Sequence, residues 1–456
     1  MRRILFLVFC FSFSVFSAVA QSWQNVGGGI SGDSDGDGIG IVCFANYSGN
    51  LFAGGAFDSA GGLPVYNIAQ WNGTNWSAIG GGVKDVNGVA VYGLSAYDSL
   101  LFVSGQFNQV GSKSCKGITQ WNGSNWDTVG PGLISMFGAG ILCVTHYNNE
   151  VYAGNTRIII QGTKTFNYIE RWNGHSWDSL GSGLNNIVSA LCVYKGELYV
   201  GGAFQTAGGI ATSSLARWNG TTWDSVKGGI GGDVYALVVY NGDLYVAGGF
   251  TSAGGIPVNN IAKWDGTNWS AVGSGISGGS IIDVFSLCVY NGCLIAGGIF
   301  TTAGGKAANQ IAAWNGTDWS PIGKGLSGYL NVGVGALGVY DSVLYADGDF
   351  TSSGGTKLNC VAMWNGPVGV NEVNNKKEVI KVFPNPSTGV FIFNFSENTG
   401  KNNITIYNML GESIYNTQLN TSTTQIDLSG RPAGIYLYRV VNENGEAVAS
   451  GKLIVQ

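Results

Sequence analysis

Apolar and polar positions alternate along most of this chain in short runs, and the pattern is plainest between Leu237 and Gly273. LVVY and LYVAGG are apolar, β-branched runs separated by Asn241-Gly242. Asn-Gly supplies the two positive-φ residues that a tight type I′ hairpin needs. NNIAKW and WSAVG are two further runs, and Asp265-Gly266 predicts the same kind of turn between them. The stretch therefore predicts four antiparallel strands, a to d, with a longer b–c connection, TSAGGIPV. No segment sustains a 3.6-residue period, so no helix is predicted.

This unit returns seven times. Its first Trp falls at Trp71, Trp121, Trp172, Trp218, Trp264, Trp314 and Trp364, at intervals of 50, 51, 46, 46, 50 and 50 residues. The second falls at Trp76, Trp126, Trp177, Trp223, Trp269 and Trp319. After Trp364-Asn365-Gly366 comes Pro367, and no second Trp arrives. The missing strand d has a counterpart at the other end, where SWQNVGGGI around Trp23 matches NWSAIGGGV. Four-stranded repeats of this length predict propeller blades. The expected fold is all-β: a seven-bladed β-propeller over residues 21–367, closed by the N-terminal strand that carries Trp23. Closure would remove two exposed sheet edges.

Strand b ends in a Gly doublet, read at Gly54-Gly55, Gly201-Gly202, Gly248-Gly249 and Gly297-Gly298. Phe57, Phe107, Phe204, Phe250, Phe300 and Phe350 follow it in six repeats and are expected to pack between blades. With the Trp that opens the last hairpin, this text resembles the Kelch-type propeller repeat over residues 22–366. The a–b and c–d turns are short and uniform, whereas the b–c and d–a connections are longer and vary. Function concentrates on variable loops of a rigid frame, so a ligand is expected on the b–c/d–a face. Repeat three departs most, bringing in Arg157, Lys164 and Arg171; it reads as a drifted repeat or as a local ligand site.

Charged residues make up only 11% of the 456, Gly contributes 75, and the net charge is −5. Few charges with many aromatics fit stacked sheets, and no basic patch points to nucleic acid. Residues 1–20 read as a secretory signal, with Arg2-Arg3, an apolar core and Ala18-Val19-Ala20. No other apolar stretch is long enough to span a membrane, so no transmembrane segment is expected in the mature chain. Cys43, Cys143, Cys192 and Cys288 read as one small buried slot of strand a, shared with Ser95, Val238 and Gly338. No C-x-x-C spacing indicates zinc.

One motif looks like a site. In DSDGDGIG, Asp33, Asp35 and Asp37 alternate before Gly38, a spacing that can wrap calcium with oxygen ligands. It resembles the start of an EF-hand or integrin-type calcium loop, but Phe44 and Ile41 stand where those loops place Glu and Asp. The other reading is a solvated turn. The two histidines, His146 and His175, have no evident partner, and neither falls in the motif of the copper oxidases that share a Kelch-like propeller. No nucleophile elbow or phosphate loop appears.

Beyond a polar linker, residues 368–378, the text changes to about seven short strands over residues 379–456, enough for a small Ig-like, Greek-key sandwich. Pro384, Asn385 and Pro386 open PNPSTG, which ends at Gly389; ITIYNMLG, GIYLYRV with Gly434 and Tyr436, and a terminal GKLIVQ follow. These pieces resemble the C-terminal sorting domain of the type IX secretion system of Bacteroidetes. The resemblance implies handling by that machinery and delivery to the cell surface or the medium. The expected function is an exported binding or interaction module with glycans or surface proteins as partners; the alternative is a carbohydrate-active hydrolase or lyase on the same scaffold.

Overall fold

The computed structural model describes residues 22–32, 40–84, 90–133, 140–161, 164–328, 333–368, 380–395, 402–408, 413–419, 421, 423–441 and 447–456. These residues form antiparallel sheets and no helix. The chain divides into two compact units, Met1–Val370 and Asn371–Gln456.

The first unit holds seven sheets built on strands a to d, which follow chain order in the first six. In sheet one, strands a to d are Ile41–Tyr47, Asn50–Gly55, Ile68–Trp71 and Trp76–Ala78. Strand a of the next six sheets is Ala90–Tyr97, Ile141–Tyr147, Val188–Tyr194, Ile230–Tyr240, Asp283–Tyr290 and Val334–Tyr340. Sheet seven takes Gln24–Asn25 as its fourth strand, Gln24 pairing with Met363 and Asn25 with Ala362. Strand a of each sheet lies beside strand a of the next, and strand a of sheet seven lies beside that of sheet one.

Two repeated side chains tie sheet to sheet. The indole of each strand-d Trp donates to a carbonyl just beyond strand d of the preceding sheet: Trp126 to Gly80 at 3.1 Å, Trp223 to Leu180 at 2.8 Å and Trp319 to Val272 at 2.9 Å. Trp23 does the same to Ile322 at 3.2 Å, and Trp76 to Val26 at 3.1 Å. At the opposite end, the Tyr closing strand a donates to an a–b turn carbonyl of the next sheet in four of the seven sheets. Tyr147 reaches Gly196 at 3.0 Å, Tyr240 reaches Gly292 at 2.9 Å, and Tyr340 reaches Gly49 at 2.8 Å. The six Phe that follow strand b are all buried between sheets. Sheet three, without that Phe, fills the space from the b–c hairpin with Ile159 and Phe166, where sheet one has Ala60 and Val65.

Local detail corrects four of the expectations. The a–b turns do have positive φ at both central residues, even where the pair is Asp98-Ser99 or Asp341-Ser342. The c–d turn is different: only Gly266 is positive, and the Asp265 carboxylate accepts from the N–H groups of Thr267 and Asn268, both at 2.7 Å. This is an Asx cap, in which the side chain replaces a backbone acceptor. The b–c connection is itself a hairpin. Ser59–Ala60 pairs with Leu63–Pro64 across Gly61-Gly62, and Ile30–Ser31 from the preceding connection adds a third strand.

Register also separates the cysteines and the glycines. Cys43 and Cys143 pair with Gly54 and Gly154, but Cys192 and Cys288 sit two residues later, opposite Tyr199 and Ile295. The four therefore occupy two slots on one face of strand a, not one. Counted from the closing Tyr, the Gly248-Gly249 doublet is shifted by one residue, so Ala247 pairs with Ala236 where Gly54 pairs with Cys43.

The second unit packs two sheets on one core. Ile380–Phe383, Val390–Phe395 and Thr423–Asp427 form one; Ser413–Leu419, Asn402–Tyr407, Gly434–Val441 and Ala447–Val455 form the other. Phe391, Phe393, Ile404, Ile406, Val440 and Leu453 fill the space between them.

Candidate functional site

Each of the seven strands a carries a β-bulge five residues before its closing Tyr, between Ile41 and Cys43 in sheet one and at the matching place in the others. A bulge leaves one residue outside the ladder and re-aims its side chain. The residue before the bulge is always Ile or Val: Ile41, Val91, Ile141, Val188, Val234, Val284 and Val334, all buried. The bulged residue itself follows no rule. It is Val42, Tyr92, Leu142, Ser189, Tyr235, Phe285 and Gly335. Packing fixes one position and releases its neighbour.

The bulge lies near the end where the d–a connection enters strand a and strand b leaves for the b–c hairpin. There Tyr235 and Phe285, from neighbouring sheets, meet with ring centroids 5.6 Å apart. Asp233 and Asp283 hold the position just before the invariant Val in the same two sheets. Burial raises the Asp283 carboxyl above its ordinary value, and the nearby Asp233 raises it further. Burial raises the Tyr235 hydroxyl as well, with smaller contributions from Asp283 and Asp233. The group is thus two aromatic faces beside two carboxylates, half-buried at the end of strands a. Sequence reading missed it because a bulge changes direction without changing composition.

The other candidates fall elsewhere. Asp33, Asp35 and Asp37 lie outside the described residues, as does the 1–20 segment. Among the described residues no three His, Cys, Asp or Glu come together closely enough to hold a metal. His146 is stacked on Tyr97 at 4.2 Å and edge-on to Phe102 at 4.4 Å; both ring nitrogens lack partners, and burial lowers its pKa to about 4. It is a packing residue. His175 lies in a c–d turn capped by Asn173, whose Oδ1 accepts from the His175 N–H at 2.9 Å.

In sheet three Arg171 pairs with Glu150 at 3.2 Å, and Lys164 Nζ donates to the Trp177 carbonyl at 3.0 Å. Lys306 makes the same bond to Trp319 at 2.9 Å, so the Lys164 contact belongs to the repeat. The seven described cysteines are free thiols. Burial pushes Cys143 and Cys288 up to about 12 and Cys192 to about 11.

The sorting motif is assembled by strand ends. Asn385 donates to the Lys452 carbonyl at 2.6 Å and accepts from the Ile454 N–H at 2.9 Å. Ser387 N–H donates to Ile454, and Gln456 N–H donates back to Ser387, both at 2.9 Å. PNPSTG is thereby zipped alongside the terminal GKLIVQ. Tyr436 is buried and its hydroxyl donates to the Pro432 carbonyl at 2.8 Å, while Gly389 has φ +115° against the Ser429 backbone. Pro384 and Pro386 flank Asn385 in this zipped segment.

Residues 381–456 match the family described as the secretion system C-terminal sorting domain. That domain directs export to the outer cell surface or the medium, and the protein is exported by this route. Among the described residues no helix is long and apolar enough to cross a membrane. No curated protein matches the sequence.

Among solved structures, PorZ, described as an essential bacterial surface component of the type-IX secretion system of Porphyromonas gingivalis, aligns with 13% identity and a TM-score of 0.35. The alignment covers 89% of this chain and 64% of that one. The extracellular domain of a one-component system from B. thetaiotaomicron aligns with 9% identity and a TM-score of 0.33, over 91% of this chain and 68% of that one. A fungal alcohol oxidase in complex with copper gives 11% identity and a TM-score of 0.40, over 96% and 100%. At these scores none bears on what this chain does.

Proposed function

We propose that the first unit is a closed seven-bladed β-propeller of Kelch-like repeats that acts outside the cell as a binding module, with a glycan as its ligand. Three features support the ring. Strands a neighbour one another in series from first to last and back to first. Each strand-d Trp donates to the preceding sheet, with Trp23 filling the seventh place. The Gln24–Asn25 strand supplies the edge that sheet seven lacks.

The binding reading rests on one observation: the bulged position lies near the b–c/d–a end and changes from sheet to sheet beside a neighbour that is always a buried Ile or Val. A scaffold that keeps its packing and varies the residue beside it displays chemistry on a fixed frame. At sheets five and six that chemistry is Tyr235 and Phe285 with Asp233 and Asp283. Aromatic faces take the C–H side of a sugar ring and carboxylates accept from its hydroxyls. Surface proteins are the second class of partner for such a half-buried patch.

The raised Asp283 beside Asp233 favours a second reading, a glycan hydrolase or lyase with Asp283 as the proton donor. A glycan array with the full chain and with Tyr235→Ala/Phe285→Ala tests the first reading. Selective binding that the double variant loses supports it; binding that survives the double variant removes this face from the account. Release of reducing ends from a bound glycan, abolished in Asp283→Asn, would establish the enzyme instead.

A further inference from the structure

The repeat contains its own control for a second site. The residue entering strand c has φ near +60° in all seven sheets: Asn67, Gly117, Tyr168, Ser214, Asn260, Gln310 and Cys360. In sheets one and five it is Asn, and its amide ties three segments together. Oδ1 of Asn67 accepts from the Phe57 N–H at 3.1 Å, and Nδ2 donates to the Val83 carbonyl at 3.0 Å. Asn260 repeats both bonds with Phe250 at 3.2 Å and Ile276 at 2.9 Å. These bonds draw the strand leaving for the next sheet onto the end of strand b.

Sheet six has Gln310 at this place. One extra methylene carries the amide past its partners, and Gln310 Oε1 is buried with none. Where the Asn clamp would close, a cavity of about 300 Å³ opens instead. It is lined by Ile281, Ile299, Ser280 and Ser327 together with the buried Phe300 and Leu326. None of the residues lining it is charged. Ile299 pairs across the strands with Asp283, so the cavity adjoins the aromatic and carboxylate group described above.

We infer that this cavity takes one neutral sugar residue of a glycan, the terminal unit of the ligand whose next units lie on Tyr235 and Phe285. The inference rests on the proposed reading of this face. The volume is that of a small ligand pocket. Ile281 and Ile299 suit the C–H face of a pyranose, Ser280 and Ser327 suit its hydroxyls, and the uncharged lining suits a neutral sugar. Asn is the better residue for this left-handed backbone. Gln310 therefore keeps a poorer local fit and an unmet acceptor where Asn would close the gap.

The test uses the full chain with glucose, galactose, mannose and N-acetylglucosamine at millimolar concentration, read by saturation-transfer NMR and calorimetry. Gln310→Asn rebuilds the clamp seen in sheets one and five. It should melt no lower than the parent and weaken monosaccharide binding at least tenfold, while Gly49→Asn, in an a–b turn of sheet one with nothing packed on it, leaves monosaccharide binding within about threefold. Equal binding by parent and Gln310→Asn, or no binding of any of the four sugars, overturns the inference. The wider reading is judged separately, by whether Tyr235→Ala/Phe285→Ala loses the longer glycan; it stands if that loss occurs while the cavity proves empty.

Discussion

Gly54 stands directly against Val91 of the next sheet: a Cβ built on Gly54 would lie 2.4 Å from Val91 Cγ1. The same contact recurs between Gly154 and Val188, and between Gly201 and Val234, both at 2.4 Å. The glycine at this place in strand b is thus a spacing device, letting two sheets approach to the width of a single β-branched side chain.

Replacing Gly54 by Val should destabilise the protein by about 1–3 kcal/mol or more, since overpacking forces side chains off rotamer. Gly49→Asn is the matched control, because nothing lies within 4 Å of Gly49 and Asn tolerates its φ of +73°. Urea denaturation of both variants gives the comparison; equal midpoints would refute the spacing role.

Trp23 is fully buried, packs against Trp364 with ring centroids 5.7 Å apart and planes tilted by 44°, and donates to Ile322. Trp23→Ala should cost about 3–5 kcal/mol. It should also expose the strand Val361–Trp364 as an open edge, increasing aggregation. Denaturation midpoints and light scattering measure the two effects.

The seven-fold repeat and the supplementary role of the Trp23 strand were legible because Trp and Asn-Gly recur at fixed spacing, and spacing survives without knowledge of register. Register itself was not legible. Cys192 looked equivalent to Cys143 until pairing placed it opposite Tyr199, two positions on. The Asp265 cap was misread because its dipeptide also suits a two-residue turn, and only the side-chain bonds distinguish the two. The bulges at Tyr235 and Phe285 leave no mark in the alternation at all. What could have revealed them is column-by-column comparison of the repeats, where a varied residue beside a position held to Ile or Val stands out.

Glu170 lies fully buried where five other sheets have Ala, and Asn155 donates to it. Burial pushes its carboxyl up from 4.5 to about 8, against a smaller opposing effect of the Asn155 bond. The folded state therefore holds the proton more tightly than the unfolded chain. The stability this contributes is complete below pH 4.5 and declines as pH rises to about 8, where it is gone. Glu170→Gln should flatten that decline and raise the melting temperature at pH 9. Asp347, buried and raised in the same direction, will keep part of the slope. Melting curves between pH 4 and 9 decide the matter; an unchanged slope in the variant would rule Glu170 out.

Gly389 packs on the Ser429 backbone, where a Cβ would come within 2.4 Å of Ser429 Cα at a φ few other residues adopt. Gly389→Ala should unseat PNPSTG from the terminal strand and reduce surface delivery, leaving the first unit folded. Cell fractionation with an antibody to the first unit reads delivery, and protease resistance of the trapped protein reads folding. Normal delivery would show that the zipped arrangement is not what the export machinery recognises.

Asn25 and Asn359 hydrogen-bond across 334 residues of chain. A strand whose partner lies so far along the sequence cannot find it until nearly every intervening repeat exists. Until then Trp23 has no seat and sheet seven has no rim. A chain cut short, or missing one repeat, has nothing to fasten, and remains open at both ends for proteases to find. The N-terminal strand therefore works as a completion check: it locks only a full set of repeats, and the stability of the whole depends on the last arrival.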